Sequence, residues 1–198
     1  MVSGSGTGRG AKHDMKGPER IETERLVLRR PRPADAGEVF ARYASDAEVT
    51  RYLGWPQHRT VDATHAFLEF SDAEWQRWPA GPYLIESRDG RLLGGTGLAF
   101  ETPWRASTGY VLAKDAWGRG FATEALGAVV AVAGELGVRR LYALCHPDHA
   151  ASRRVLEKCQ FVREGLLQRD GLFPNLDADE PCDTLCFARV LRGVPSGA

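Results

Sequence analysis

Cysteine is scarce in this chain, and neither sign of charge is in surplus. Only four of the 198 residues are cysteines. Cys145, Cys159, Cys182 and Cys186 lack the paired spacing of zinc ligands. Cys182-x-x-x-Cys186 comes nearest to a metal half-site, but scattered strand residues are the plainer reading, so no metal is expected. The thiols are expected to stay reduced in a cytoplasmic protein. Lys plus Arg and Asp plus Glu both total 26, which leaves no net formal charge. That balance argues against a protein that holds nucleic acid on a broad basic surface. No uncharged apolar run is long enough to cross a bilayer. Residues 1–12 contain no apolar signal core, so neither membrane insertion nor export is expected. No segment repeats. What remains is 43% hydrophobic and 26% charged, enough for one domain with a real core.

Residues 1–17 are Gly, Ser and charge with almost nothing to bury. They read as a flexible leader, with Met15 as an alternative start. Gly6-x-Gly8-x-x-Ala11 matches the loose dinucleotide pattern, but no strand precedes it and it carries no site. A strand is expected over 24–31, then a helix from Pro33 to near Asp46 with Val39, Phe40 and Tyr43 at helical spacing. Val49 to Pro56 reads as an aromatic-rich loop and Val61 to Arg77 as a second helix. Strands follow at Pro82 to Ser87, Leu92 to Phe100, Ser107 to Ala113 and Arg139 to Cys145, the first two joined at Asp89-Gly90. Between the last two lies a helix from Phe121 to Leu136, with Ala125, Leu126, Val129 and Ala133 in one stripe. Phe161 to Gln168 and Asp183 to Val190 read as a closing pair around a polar loop, 169–182, with a tail at 193–198.

The stretch from Val111 to Leu126 organises the rest. An apolar strand runs into Trp117-Gly118-Arg119-Gly120, and the helix begins at Phe121. Gly118 and Gly120 carry no Cβ, so several amides can converge on one anion. The helix adds its unpaired amides and the positive end of its dipole, which makes a phosphate cradle. It is not a Walker A loop, because no Gly-Lys-Ser/Thr follows, and Thr123 stands where the dinucleotide fingerprint needs its third small residue.

Trp117-x-x-Gly120-x-Ala122 resembles the pyrophosphate loop of the GNAT superfamily of acyl-CoA N-acetyltransferases, whose pattern is Gln/Arg-x-x-Gly-x-Gly/Ala. Trp117-Gly118-Arg119-Gly120-Phe121-Ala122-Thr123-Glu124-Ala125-Leu126 looks like the ribosomal-protein N-terminal (Rim-type) acetyltransferase branch over ten residues. Glu22-Thr23-Glu24-Arg25-Leu26-Val27-Leu28-Arg29 is similar to that branch's opening. His146-Pro147 through Ser152 to Phe161 resembles its His-Pro-x-Asn-x-x-Ser-x-x-Val-Leu-Glu-Lys-x-Gly-Phe segment. His149 replaces the usual Asn, which puts one backbone-bridging contact in doubt. Gln160 replaces a Gly that would tolerate positive φ. The resemblance implies a single α/β (α+β) domain over 18–192. Its sheet would be mixed, mostly antiparallel and of six or seven strands, with a central splay between the strands ending at Ala113 and Cys145. About four helices would cover it.

The reaction implied is transfer of an acetyl group from acetyl-CoA to an amine. The resemblance assigns the acyl carbonyl to the backbone N–H of Val111 or Leu112, an oxyanion-type contact. It assigns the rest of the cofactor contact to Trp117, Gly118, Arg119, Gly120, Phe121, Ala122, Thr123, His149 and Ser152. Arg119, Arg153 and Arg154 could meet the CoA phosphates or simply be solvated. Ser152 is the candidate general acid for the leaving thiolate; the alternative is a first-turn serine that satisfies its own helix. The Glu that many relatives carry before Gly109-Tyr110 is absent. Glu101, His58, His65 or a water chain are candidates for the general base. Acceptor specificity is expected on 52–59 and 169–182, where Trp55 and Phe173 suggest an apolar wall; Glu101, Asp177, Asp179 and Glu180 suggest a cationic amine. The acceptor would be a small molecule or a protein N-terminus, and the protein a monomer or homodimer. A catalytically silent acyl-CoA-binding module and transfer of a longer acyl group are the alternatives.

Overall fold

A computed structural model of the chain describes residues 15–192. The expected leader falls outside these residues except for 15–17, and the expected tail falls outside them entirely. Lys16 Nζ donates to the carbonyls of Trp75 and Trp78 at 3.3 and 3.1 Å, and Gly17 N to Pro79 O at 2.7 Å.

Eight strands form one sheet among the described residues: β1 Arg20–Glu22, β2 Leu26–Arg29, β3 Pro82–Ser87, β4 Leu92–Thr102, β5 Arg105–Leu112, β6 Arg140–Cys145, β7 Val162–Phe173 and β8 Asp177–Val190. Their order is β1-β2-β3-β4-β5-β6-β8-β7, and only β5 and β6 run parallel. The class is the expected one, but the count of six or seven is corrected to eight. β1 escapes a reading by period because three residues carry only Ile21 as an apolar position.

Five α-helices are present among the described residues: α1 Ala36–Val39, α2 Ala47–Thr50, α3 Val61–Arg77, α4 Phe121–Glu135 and α5 Ala150–Lys158. α1 sits between a 3-10 turn at Pro33–Asp35 and a π turn at Phe40–Ala44, so the chain coils without a break over the expected stretch. α2 runs into the first two residues of the loop expected from Val49 to Pro56. It is a single turn capped by Asp46, whose carboxylate accepts from Glu48 N and Val49 N at 2.8 and 3.2 Å.

The sheet is buried on both faces at its centre. Ile85 and Leu93 meet Leu126, Val129 and Ala133 of α4 on one face, while Leu84 and Leu92 meet Val39 and Tyr43 on the other. Fully burying one Leu or Val contributes about 1.5–3 kcal/mol, so α4 is anchored by its apolar stripe. Gln160 adopts φ 63°, the left-handed conformation that Gly would take at little cost.

One break in the sheet positions everything that follows. β5 pairs with β6 only through Arg105↔Arg140, Ala106↔Leu141 and Ser107↔Tyr142. Beyond Ser107, β5 stays on β4 as far as Leu112, and β6 stays on β8 as far as Cys145. The two strands therefore diverge into the expected splay.

Candidate active site

The splay opens beside the Gly-rich loop. Trp117 Nε1 donates to Leu112 O at 2.7 Å and ties the loop to the end of β5. Asp115, in the 3-10 turn Lys114–Ala116, is held by Arg42 through bonds of 2.9 and 3.1 Å. Gly118 and Gly120 then take φ of 73° and 81°, left-handed angles that a side chain would resist. Gly120 is the residue that caps α4, and no side chain bonds the first amides of that helix. A cavity of about 190 Å³ lies in front of them. Leu112, Gly118, Ala122 and Thr123 line it, together with Arg154 and Lys158 of α5. Those two cations stand four residues apart, one above the other on the same face of the helix.

The loop is also gripped from β2's lead-in. Arg25 Nη1 donates to Arg119 O at 3.0 Å, and Arg25 Nε to Glu124 Oε2 at 2.7 Å. Thr23 Oγ1 and Arg25 N donate to Glu124 Oε1 at 2.6 and 2.8 Å. Burial works against the charged Glu124, but these bonds outweigh it and hold its pKa below the usual carboxylate value. The guanidiniums of Arg25 and Arg119 lie 4.9 and 4.8 Å from the Phe121 ring.

Register separates Val111 from Leu112. Ala113 N donates to Leu93 O at 2.8 Å. In an antiparallel ladder the bonded positions recur every second residue, so Val111 turns its N–H toward β4 and Leu112 turns its own toward the splay. The Trp117 bond to Leu112 O lies on that same splay side.

Ser152 lies in the first turn of α5. Tyr110 on β5 donates its O–H to Ser152 O at 2.9 Å, and Ser152 Oγ stands 2.9 Å from the same phenol oxygen. With the phenol proton committed, the serine hydroxyl is the donor of the second bond. Burial pushes the Tyr110 pKa up, the Ser152 bond opposing it, so the phenol stays neutral. Cys145 is buried nearby, with its Sγ 3.4 Å from His146 O. Burial pushes its thiol pKa up, and Ser152 works in the other direction.

Glu101 sits elsewhere. It accepts from the Tyr142 hydroxyl and pairs with Arg105 at 3.0 Å, at the closed end of the splay. Arg105 and Tyr110 are five residues apart, roughly 16 Å at 3.3 Å per residue, and they face opposite sides of the sheet.

His149 is the residue before α5, and its ring stacks on Tyr52 with centroids 4.9 Å apart. His146 stacks on Tyr52 at the same 4.9 Å and meets the edge of Phe173 at 4.8 Å. His58 Nδ1 is 2.8 Å from Thr64 Oγ1, while His65 is exposed on α3. The two segments expected on the acceptor side meet through Asn175. Its Nδ2 donates to Thr50 O and Trp55 O at 2.7 and 2.9 Å, and its Oδ1 accepts from Gln57 N at 2.7 Å.

Arg25, Lys158, Tyr110 and Asn175 were not singled out by sequence reasoning. Lys158 carried a usable signal, its spacing of four from Arg154. The other three are joined to the site only through contacts across the fold.

The sequence model of the acetyltransferase (GNAT) domain family matches residues 25–162. An uncharacterized N-acetyltransferase of Bacillus subtilis, YoaA, is 34% identical over 175 residues, covering 86% of this chain and 96% of that protein. Among solved structures, RimL, a ribosomal L7/L12 α-N-protein acetyltransferase in complex with coenzyme A, superposes with a TM-score of 0.78 at 23% identity. That match covers 87% of this chain and 98% of RimL. The microcin C7 self-immunity acetyltransferase MccE, in complex with acetyl-CoA and AMP, gives 0.78 at 21% identity, covering 89% and 99%. The family match across most of the chain, the Bacillus relative, and a splayed sheet that opens on an uncapped, Gly-rich helix start agree: the chain belongs to the GNAT acetyltransferase family.

Proposed function

We propose that this acetyltransferase moves the acetyl group of acetyl-CoA to a primary amine by direct attack in a ternary complex. One observation carries the reading: the splay holds the Leu112 amide beside a cavity that ends on uncapped helix amides and on Arg154 and Lys158. A diphosphate suits that end, and a thioester suits the opening between the strands. Leu112 N–H then receives the negative charge that develops on the thioester oxygen. Ser152 turns its proton from the Tyr110 phenol to the departing thiolate, while Tyr110, kept neutral, holds the serine through its own bond to Ser152 O.

Two acceptor classes fit the family. A neighbour from Salmonella typhimurium is described as modifying the N-terminal serine of the 50S ribosomal protein L7/L12, which supports an α-amine; MccE is a self-immunity enzyme crystallised with AMP. Asp170, Asp177 and Asp179, exposed on the β7–β8 hairpin, favour a cationic acceptor; Glu180 beside them is paired with Arg169. The reading takes 18–192 as the domain and the cytoplasm as its location, where its four free cysteines stay reduced. No helix among the described residues is long and apolar enough to cross a membrane.

Release of free thiol from acetyl-CoA tests the proposal, using a panel of peptides with free N-termini and small amines. Amine-dependent release with a matching mass gain of one acetyl group on the acceptor is expected. CoA binding without turnover on any amine would leave only a binding module. A preference for longer acyl-CoA donors would move the donor and keep the chemistry.

A further inference from the structure

We infer that the imidazole of His149 is the general base that takes the proton from the acceptor ammonium, an inference that rests on the amine-transfer reading above. Of the other candidates, His65 is exposed on α3, while Glu101 and His58 are engaged, as is the neighbouring His146. Glu101 is bound by Tyr142 and Arg105 at the closed end of the splay. His58 Nδ1 faces the Thr64 hydroxyl. His146 Nδ1 accepts the Asp148 N–H at 3.1 Å, which fixes its remaining proton on the other ring nitrogen and uses its lone pair. The His149 ring has no hydrogen-bond partner among the described residues, yet Tyr52 holds its plane at 25° and 4.9 Å. It is oriented by stacking and keeps a free lone pair, as a proton acceptor must.

Its position fits the same role. Cys145 ends β6 at the splay, and His149 follows four residues later, with its carbonyl 3.8 Å from Cys145 Sγ. Ser152 comes three residues after His149, the residue that precedes α5, so base and acid both sit at the N-terminal end of that helix. Burial first, and then the neighbouring His146, push the His149 pKa down, so the ring is neutral at pH 7. The groups packed around it add no compensating anion. Tyr52 carries the Arg51 guanidinium 5.2 Å from its ring, Phe173 is apolar, and the Asp148 carboxylate stands by His146 at 4.0 Å. Arg153 follows on α5 itself.

The step balances. One ammonium proton passes to the His149 lone pair. The freed nitrogen pair forms the C–N bond at the thioester carbonyl, whose π pair moves onto oxygen. Collapse restores C=O and breaks C–S, and the thiolate takes the Ser152 proton. The second nitrogen proton returns to Ser152 through water, and His149 releases its proton to solvent.

The test compares wild type with His149→Asn and His149→Ala over pH 5.5–9, using a ten-residue peptide with an N-terminal serine and 1,4-diaminobutane. Asn is the residue that the resembled branch carries here, so it preserves any contact with the cofactor. With the α-amine, about a tenth of which is neutral at pH 7 without help, His149→Asn should lose up to about tenfold in kcat at pH 7 and keep its KM for acetyl-CoA within about threefold. The deficit should close toward pH 9, because an α-amine with a pKa of about 8 is then neutral without help. Both variants should behave alike if the lone pair matters. Near-wild-type turnover of His149→Asn at every pH, or a raised KM for acetyl-CoA at unchanged kcat, overturns the inference and leaves the amine-transfer reading standing. No turnover of either amine by the wild type overturns both.

Discussion

Ser152 and Tyr110 form a closed pair of hydrogen bonds at 2.9 Å, and that closure decides what Ser152 can do. A serine that merely satisfied its own helix would point back along α5. Here its proton is directed at a phenol on the strand that borders the splay. Ser152→Ala is expected to keep CoA affinity while kcat falls by about 10²-fold. Single-turnover kinetics at saturating acetyl-CoA measure the chemical step directly; an unchanged rate would reduce Ser152 to a helix residue. At this scale the sequence was most informative where backbone does the work. Gly118 and Gly120 announced a backbone clear of side chains, and both take positive φ. Side chains that act across the fold were silent. Tyr110 is a strand tyrosine until β5 and α5 are packed together, and Arg25 is a strand-edge cation until it reaches Arg119 and Glu124.

α4 and the β7–β8 hairpin represent opposite cases of legibility among the elements. α4 buries a stripe at helical spacing, so its period is written in its residues. The hairpin was misread over 169–182, where a polar loop was expected. β7 and β8 in fact continue through Gly171↔Cys182 and Phe173↔Asp177 to a turn at 174–176. Apart from the buried Phe173, their outer parts are largely exposed, so no apolar alternation exists to betray them. Register breaks around 168–170, with Arg169 at φ 47°, disguise them further. The turn's Asn175 carries three bonds to residues more than a hundred positions earlier. At about 1 kcal/mol each, these bonds hold the segment after α2 against the hairpin. Asn175→Ala should cost about 1–3 kcal/mol and raise the KM for the acceptor severalfold, with the KM for acetyl-CoA unchanged. Equal shifts in both KM values would assign Asn175 to general stability instead.

Across the whole molecule, the splay is where two neighbouring strands, β5 and β6, part after three paired positions, while ion pairs tie other strands to one another. Arg29 links β2, the turn before α1, and β3. It donates to Asp35 at 2.8 and 2.7 Å and to Glu86 at 2.7 Å. Burial opposes the charged Asp35, but the bonds from Arg29 and the Arg32 amide outweigh it and lower its pKa. A carboxylate with a depressed folded pKa stabilises the fold fully above its unfolded value, about 3.9, and loses that contribution as pH falls through the folded value. Asp35→Asn should therefore cost about 3 kcal/mol in urea unfolding at pH 7, with the difference from wild type shrinking below about pH 4. A difference that stayed constant down to pH 3 would contradict this.

The central claim is that acetyl-CoA lies in the splay with its pyrophosphate on the amides from Gly118 to Ala122. Gly120 adopts φ 81°, and a Cβ there would stand 3.4 Å from the Arg25 guanidinium. Gly120→Val adds a branched side chain at a left-handed position directly before α4, which both resists the turn and crowds the phosphate. Calorimetric titration of wild type and Gly120→Val with CoA is the most direct measurement, with thermal unfolding confirming that the variant folds. The account predicts saturable one-site binding by the wild type and at least about a hundredfold weaker binding by the folded variant, which corresponds to about 2.7 kcal/mol. Unchanged CoA affinity in a folded Gly120→Val protein would contradict it.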